Sequence, residues 1–278
     1  MTQRTVFFVS DHSGVTAETL GQSLIAQFDA LDFTKITVPF VSTVDKAKRV
    51  ARKINAAARE QGSPPIVFST LVKEDVRDTV RAIVGRTDAL FLDFFDSFLG
   101  PLEQELGRTS QHAMGLSHGI QNYREYDRRI EAMNFALAHD DGSSPDGYEE
   151  ADVVLVGVSR SGKTPTCLYL ALQYGVFAAN YPLTGSDLEG RRVPPALSRY
   201  RDKMYGLTIE PRRLGELRSA RGIGRRYASP RQVSFEVRQA QALFDRLDIP
   251  FVDATRCSIE ELASRILDAT RLERRTTS

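Results

Sequence analysis

Tryptophan is absent from this chain of 278 residues, cysteine occurs only twice, and methionine and histidine four times each. Two isolated cysteines, Cys167 and Cys257, cannot build a disulfide framework or a zinc ligand set. Both are expected as buried apolar fillers in a reducing compartment. His12, His112, His118 and His139 form no metal-like cluster. An excess of either charge is also missing: 37 Lys and Arg face 36 Asp and Glu, a formal net charge of +1. That balance argues against a protein-wide field for nucleic acid or a membrane surface. No apolar run approaches the roughly 20 residues of a transmembrane helix. The opening MTQRTVFFVSD holds an apolar stretch of only about five residues, too short for a signal peptide. Internal repeats and low-complexity tracts are lacking too. What remains is a globular chain, expected in the cytoplasm, long enough for two domains or one large α/β unit.

Against these absences one stretch stands out. Gly157 to Thr164 reads GVSRSGKT and fits the phosphate-loop pattern G-x-x-x-x-G-K-[ST] without mismatch. Chance would place that pattern about once in a hundred chains of this length, so context decides. ADVVLVGVS before it is a continuous apolar, β-branched run, as expected for a strand buried on both faces. TPTCLYLALQYG after it reads as a helix, with Pro165 in the first turn and Gly175 at the C-terminal cap. Strand, glycine loop and helix in that order are the context the motif needs.

The residue types explain the chemistry. Gly157 and Gly162 let the backbone turn its N–H groups, with those of Val158, Ser159, Arg160 and Ser161, around phosphate oxygens. The helix dipole points its positive end at the same place. Lys163 supplies a mobile cation, and the Thr164 hydroxyl can complete a Mg²⁺ shell. The alternative is a glycine-rich turn that binds nothing.

The first half alternates strand-like and helix-like segments. Strands are expected at 5–10, 36–42, 64–71 and 88–95. Helices are expected at 16–28 with Thr16 as N-cap, at 45–60 and at 73–85. Such order implies a mainly parallel sheet with helices on its faces. The pattern lapses around 107–118. A helix with Ile130, Met133 and Leu137 on one face follows, and then AHDDGSSPDG, which reads as a linker. The boundary is placed there: 1–146 as an N-terminal mainly parallel α/β domain, 147–278 as a phosphate-loop kinase-like α/β domain. In the second half, strands are expected at 176–181, 203–210 and 250–255. Two helices are marked by Ser229 with Pro230 and by a capping box of Ser258 with Glu261. The tail beyond Leu272 is charged and reads as frayed.

Secondary candidates lie where parallel strands deliver their carboxyl ends. The turn after the first strand carries Asp11, His12, Ser13, Gly14 and Thr16. It reads either as a second phosphate or substrate site or as plain turn and capping chemistry. Asp93 and Asp253 each end an apolar strand, as a metal-holding acid does in phosphate-loop proteins, although Asp at a strand end is also common turn chemistry. The basic stretch 199–231 lacks the stacking aromatics of nucleic-acid readers. Solvated helix faces explain most of it, while Lys203 could face the phosphates or an acidic protein partner.

With these residues in place, the chain resembles the bacterial phosphoenolpyruvate synthase regulatory proteins, relatives of the pyruvate, phosphate dikinase regulatory proteins. VSDHSGVTAETLG, EYDRRIEAMNFALAHDDG, GVSRSGKTPTCLYLALQYGVFAANYPL, KMYGLTIEPRRL, RYASPRQ and VDATRCSIEELASRIL carry the resemblance over nearly the whole chain. It implies a bifunctional serine/threonine kinase and phosphorylase. Such proteins use ADP to phosphorylate a threonine of phosphoenolpyruvate synthase, leaving AMP, and reverse this with inorganic phosphate, releasing pyrophosphate. The family's nucleotide site is the loop, so that role falls on Gly157, Val158, Ser159, Arg160, Ser161, Gly162, Lys163 and Thr164, with Mg²⁺ at Thr164. The resemblance assigns no general base; Asp11, Asp253 and Lys203 are the candidate catalytic partners of Lys163.

Two other functions suit the same residues: a small-molecule kinase, and a non-catalytic nucleotide switch or nucleic-acid binder using the basic stretch. A homo-oligomer is compatible with the sequence.

Overall fold

The computed structural model describes residues 4–28, 31–111, 123–142, 145–190, 193–220 and 227–272. Two compact units divide the chain, Met1–Gly119 and Ile120–Ser278, and both are α/β. The expected histidines His112 and His118 and the tail beyond Leu272 lie outside the described residues.

The first unit holds strands β1 (Arg4–Ser10), β2 (Phe33–Val38), β3 (Ile66–Thr70) and β4 (Leu90–Asp93). They form a parallel sheet in the order β2-β1-β3-β4. Alternation along the central strands splits the core. Phe7, Val9 and Val67 pack against α2 (Val44–Gln61) and α3 (Glu74–Val84), and Phe8 and Phe68 against Ala17 and Ile25 of α1 (Val15–Ile25).

The second unit repeats this plan with β5 (Val153–Gly157), β6 (Ala178–Pro182), β7 (Met204–Thr208) and β8 (Phe251–Asp253), parallel in the order β6-β5-β7-β8. Every residue of β5 is buried, as its unbroken apolar run requires. Val153 and Leu155 face α5 (Tyr123–Ala138), α6 (Lys163–Tyr174) and α10 (Ile259–Thr270). Val154 and Val156 face the short α7 (Gly185–Gly190), α8 (Pro211–Ser219) and α9 (Pro230–Leu247). Ser229 caps α9 through the Gln232 N–H and Ser258 caps α10 through the Glu261 N–H, as their sequence signals announce.

Several expectations give way. The 146/147 boundary moves to 119/120 because α5 buries Ala132, Phe135 and Ala136 within the second unit's cores. Its buried face is therefore not the Ile130–Met133–Leu137 face; Leu137 is exposed. The supposed linker folds into two 3-10 turns, Asp140–Gly142 and Pro145–Glu149. Tyr148 in the second is fully buried, with its hydroxyl donating to the Asn180 carbonyl at 3.0 Å. A helix missed by periodicity, α4 (Phe94–Leu106), has Pro101 in its interior and buries none of its residues, which removes the usual signals. β2 starts and ends earlier than expected, and α1 opens at Val15 with left-handed Gly14, not Thr16, as its N-cap. Cys167 is buried as expected, whereas Cys257 is only half-buried.

Candidate active site

At the switch point of the second sheet, β5 lies between β6 and β7 and its carboxyl end runs into the Val158–Gly162 loop and α6. This is the crevice where open parallel sheets gather ligands. Gly157 is required by space: a Cβ there would lie 2.4 Å from the Leu207 carbonyl oxygen and 2.9 Å from Ser161 Oγ. Gly162 is required by conformation, since it caps α6 in the left-handed region at φ 95°. No side chain caps α6, so its first N–H groups remain available to an anion.

The loop is braced from beneath. Arg218 of α8 is 1% exposed. It donates to the Ser159 carbonyl at 3.1 Å and the Tyr227 carbonyl at 3.1 Å, pairs with Glu236 of α9 at 2.7 Å, and stacks over the Tyr227 ring at 4.2 Å. Ser159 Oγ and the Tyr227 hydroxyl share a hydrogen bond of 2.8 Å.

Lys163 is buried, and its Nζ donates to the Val158 carbonyl at 3.1 Å. Burial pulls its pKa down to about 8, opposed chiefly by the attraction of Asp141. The neighbouring Thr164 hydroxyl donates to Asp140 Oδ1 at 2.8 Å. Asp140 Oδ1 also accepts from the Asn180 side-chain amide, and Asn180 Oδ1 accepts the Asp141 N–H at 3.1 Å. Asn180, fully buried on β6, thus fixes both acids over the start of α6. Asp140, Asp141, Arg160, Lys163 and Thr164 line one cleft of about 540 Å³.

This donor set suits a phosphate-bearing substrate with Mg²⁺. Thr164 and the two carboxylates are hard oxygen donors beside a fixed ammonium. Among the described residues no group of three or more His, Cys, Asp or Glu could hold a metal alone. A Mg²⁺ here would therefore complete its shell with phosphate oxygens and water, its ordinary habit.

Two of the expected partners of Lys163, Lys203 and Asp253, lie away from the loop. Lys203 precedes β7, whose Met204 pairs with Val154 while Leu207 pairs with Gly157. It therefore sits at the amino end of the sheet, roughly 13 Å of strand from the loop. There its Nζ donates to the Glu149 carbonyl at 2.7 Å. Asp253 does end β8 at the carboxyl edge, but β7 separates β8 from β5. Its carboxylate is engaged by the N–H and hydroxyl of Thr255, plain turn chemistry, and it does not line the cleft. The acid beside Thr164 is Asp140.

In the first unit, Asp11 is buried and accepts the Val72 N–H at 2.8 Å, and Ser10 Oγ accepts the His12 N–H at 3.2 Å. The turn reading of that loop thus has contacts behind it. Asp93 caps α4 through the Asp96 N–H and accepts from Ser69; burial raises its pKa above the usual carboxylate value.

Asp140, Asp141, Asn180, Arg218 and Tyr227 were not singled out from sequence. The only available signal was the acidic doublet His139-Asp140-Asp141-Gly142 directly after a helix, and its Asp-Gly-Ser-Pro surroundings read as a linker.

The profile of the family described as Kinase/pyrophosphorylase matches residues 6–267. The chain belongs to this family. The match runs from β1 to α10 and so spans both units, and membership makes the chain a phosphotransferase-type enzyme. Similar proteins cover the same length. One from Stutzerimonas stutzeri (strain A1501), provisionally named phosphoenolpyruvate synthase regulatory protein, is 50% identical over 273 residues, 98% of this chain and 99% of its own. Proteins of the same provisional name from Alkalilimnicola ehrlichii and Pseudomonas aeruginosa (strain PAO1) are 51% and 49% identical, each over 98% of both chains. Among the described residues no helix is long and apolar enough to cross a membrane.

Proposed function

We propose that this chain regulates phosphoenolpyruvate synthase by moving one phosphoryl group on and off a threonine of that enzyme. In the inactivating direction the threonine hydroxyl attacks the β-phosphorus of ADP, the bond to the α-phosphate oxygen breaks, and AMP leaves. In the reactivating direction inorganic phosphate attacks phosphothreonine, the threonine oxygen leaves, and pyrophosphate forms. The observation that carries the reading is the convergence of Lys163, Thr164, Asp140 and Asp141 on one cleft in a chain of the kinase/pyrophosphorylase family. The relatives' shared name supports the target, and the motif resemblance supports ADP as donor. Such a regulator works in the cytoplasm.

Each residue then has a role. The loop N–H groups and the start of α6 bind the phosphate that is common to AMP and to inorganic phosphate. Lys163 neutralises charge on the transferred group. Thr164 and Asp140 would hold Mg²⁺, which neutralises phosphate charge when bound. The Asp141 carboxylate, which accepts no hydrogen bond from the described residues, takes the threonine proton in one direction and returns it in the other.

The test is transfer of label from ADP carrying ³²P at its β-phosphate to purified phosphoenolpyruvate synthase, followed by release of labelled pyrophosphate on adding phosphate. Labelling of a metabolite in place of the protein would mean a small-molecule kinase. Nucleotide binding without turnover would mean a switch.

A further inference from the structure

We infer that the Arg160 side chain is a catalytic cation that grips substrate phosphate in a fork, a role distinct from that of the loop's backbone. This rests on the phosphate-binding reading above. Three observations converge on it. Arg160 occupies the left-handed region at φ 78°, where a side chain costs conformational energy that Gly or Asn largely avoids. An arginine held at such a position is held for its guanidinium. Arg160 lines the cleft with Lys163, Thr164, Asp140 and Asp141, yet its guanidinium pairs with neither acid. Among the described residues its Nη2 is buried with no hydrogen-bond partner, and Ser161 Oγ in the same loop is also buried without one.

A buried guanidinium N–H without an acceptor carries its full desolvation penalty until an acceptor arrives. The planar fork matches two oxygens of a phosphate, a geometry that an ammonium cannot offer. One of the three N–H groups of Lys163 holds the Val158 carbonyl, whereas Arg160 Nη2 has no acceptor among the described residues. A diphosphate with Mg²⁺ would thus meet Lys163 from the helix side and Arg160 from the loop.

Calorimetric titration with inorganic pyrophosphate and Mg²⁺ tests this without relying on the kinase reaction. Arg160→Gly removes the fork and relieves the backbone, so Tm should hold or rise while pyrophosphate binds about 10- to 100-fold more weakly, the scale of one or two charge-assisted hydrogen bonds. Arg160→Asn, which also tolerates positive φ, should behave alike, and Arg160→Lys should fall between it and the unaltered protein. Added guanidinium ion should restore part of the lost turnover to Arg160→Gly and none to Arg160→Lys. Unchanged binding in the Gly and Asn variants would overturn the inference while leaving the phosphate site intact. Weak binding accompanied by a lower Tm in both would assign Arg160 a structural role and overturn it as well. If the unaltered protein does not bind pyrophosphate, the phosphate-binding reading itself falls, and this inference with it.

Discussion

Lys163 is a cation kept almost wholly out of water, 4% exposed, and its chemistry follows from that burial. With a folded pKa of about 8, below the ordinary value of 10.5, the unfolded chain binds more protons between those two pH values. This group's burden on the folded state is therefore full below pH 8 and relieved as pH rises toward 10.5. Lys163→Met should fold at least as stably as the parent at pH 7, and its advantage should shrink over that window; denaturant melts of the two proteins across pH 7–10.5 check it. The same variant should lose roughly 10²-fold or more in turnover. Asp141→Asn should cost about 10²–10⁴-fold in kcat with little change in nucleotide KM, as expected for a lost proton acceptor. Asp140→Asn should instead raise the Mg²⁺ concentration needed for half-maximal activity. Asp253→Asn, which alters a local turn, and Lys203→Ala, which frees the Glu149 carbonyl at the amino end of the sheet, should both stay within about twofold of the parent enzyme in the same assay.

Elements whose signals are local could be read from the chain. The β5–loop–α6 unit, the Ser229 and Ser258 caps and the parallel alternation of both halves all rest on residues adjacent in sequence. What escaped depends on distant partners. Asp140 becomes a site residue only because Asn180, on another element, receives it, and a doublet in an Asp-Gly-Ser-Pro run carries no trace of that meeting. Likewise α4 hides behind Gly100 and Pro101, and nothing in the basic stretch 199–231 separates buried Arg218 from its solvated neighbours. Arg218 also sets a prediction at this scale, because it ties α8 and α9 to the loop. Arg218→Ala leaves Glu236 without its cation and should destabilise the protein by about 3–5 kcal/mol. The double variant Arg218→Met/Glu236→Leu should recover much of that stability in denaturant titrations without recovering turnover, since the Ser159 carbonyl would remain untethered.

The whole molecule holds the same strand order twice, and each copy buries cores of its own on both faces of its sheet. The consequence concerns cooperativity. A chain with two self-contained cores need not melt as one unit, and only one copy contains the GVSRSGKT loop. Scanning calorimetry should resolve two transitions. Pyrophosphate with Mg²⁺ at 100 times its Kd adds about 2.7 kcal/mol to the unit that binds it. For a unit of this size that is a shift of roughly 5–10 °C in one midpoint, with the other left in place. A single transition that moves as a whole would mean instead that the two halves, despite their separate cores, hold or lose their structure together.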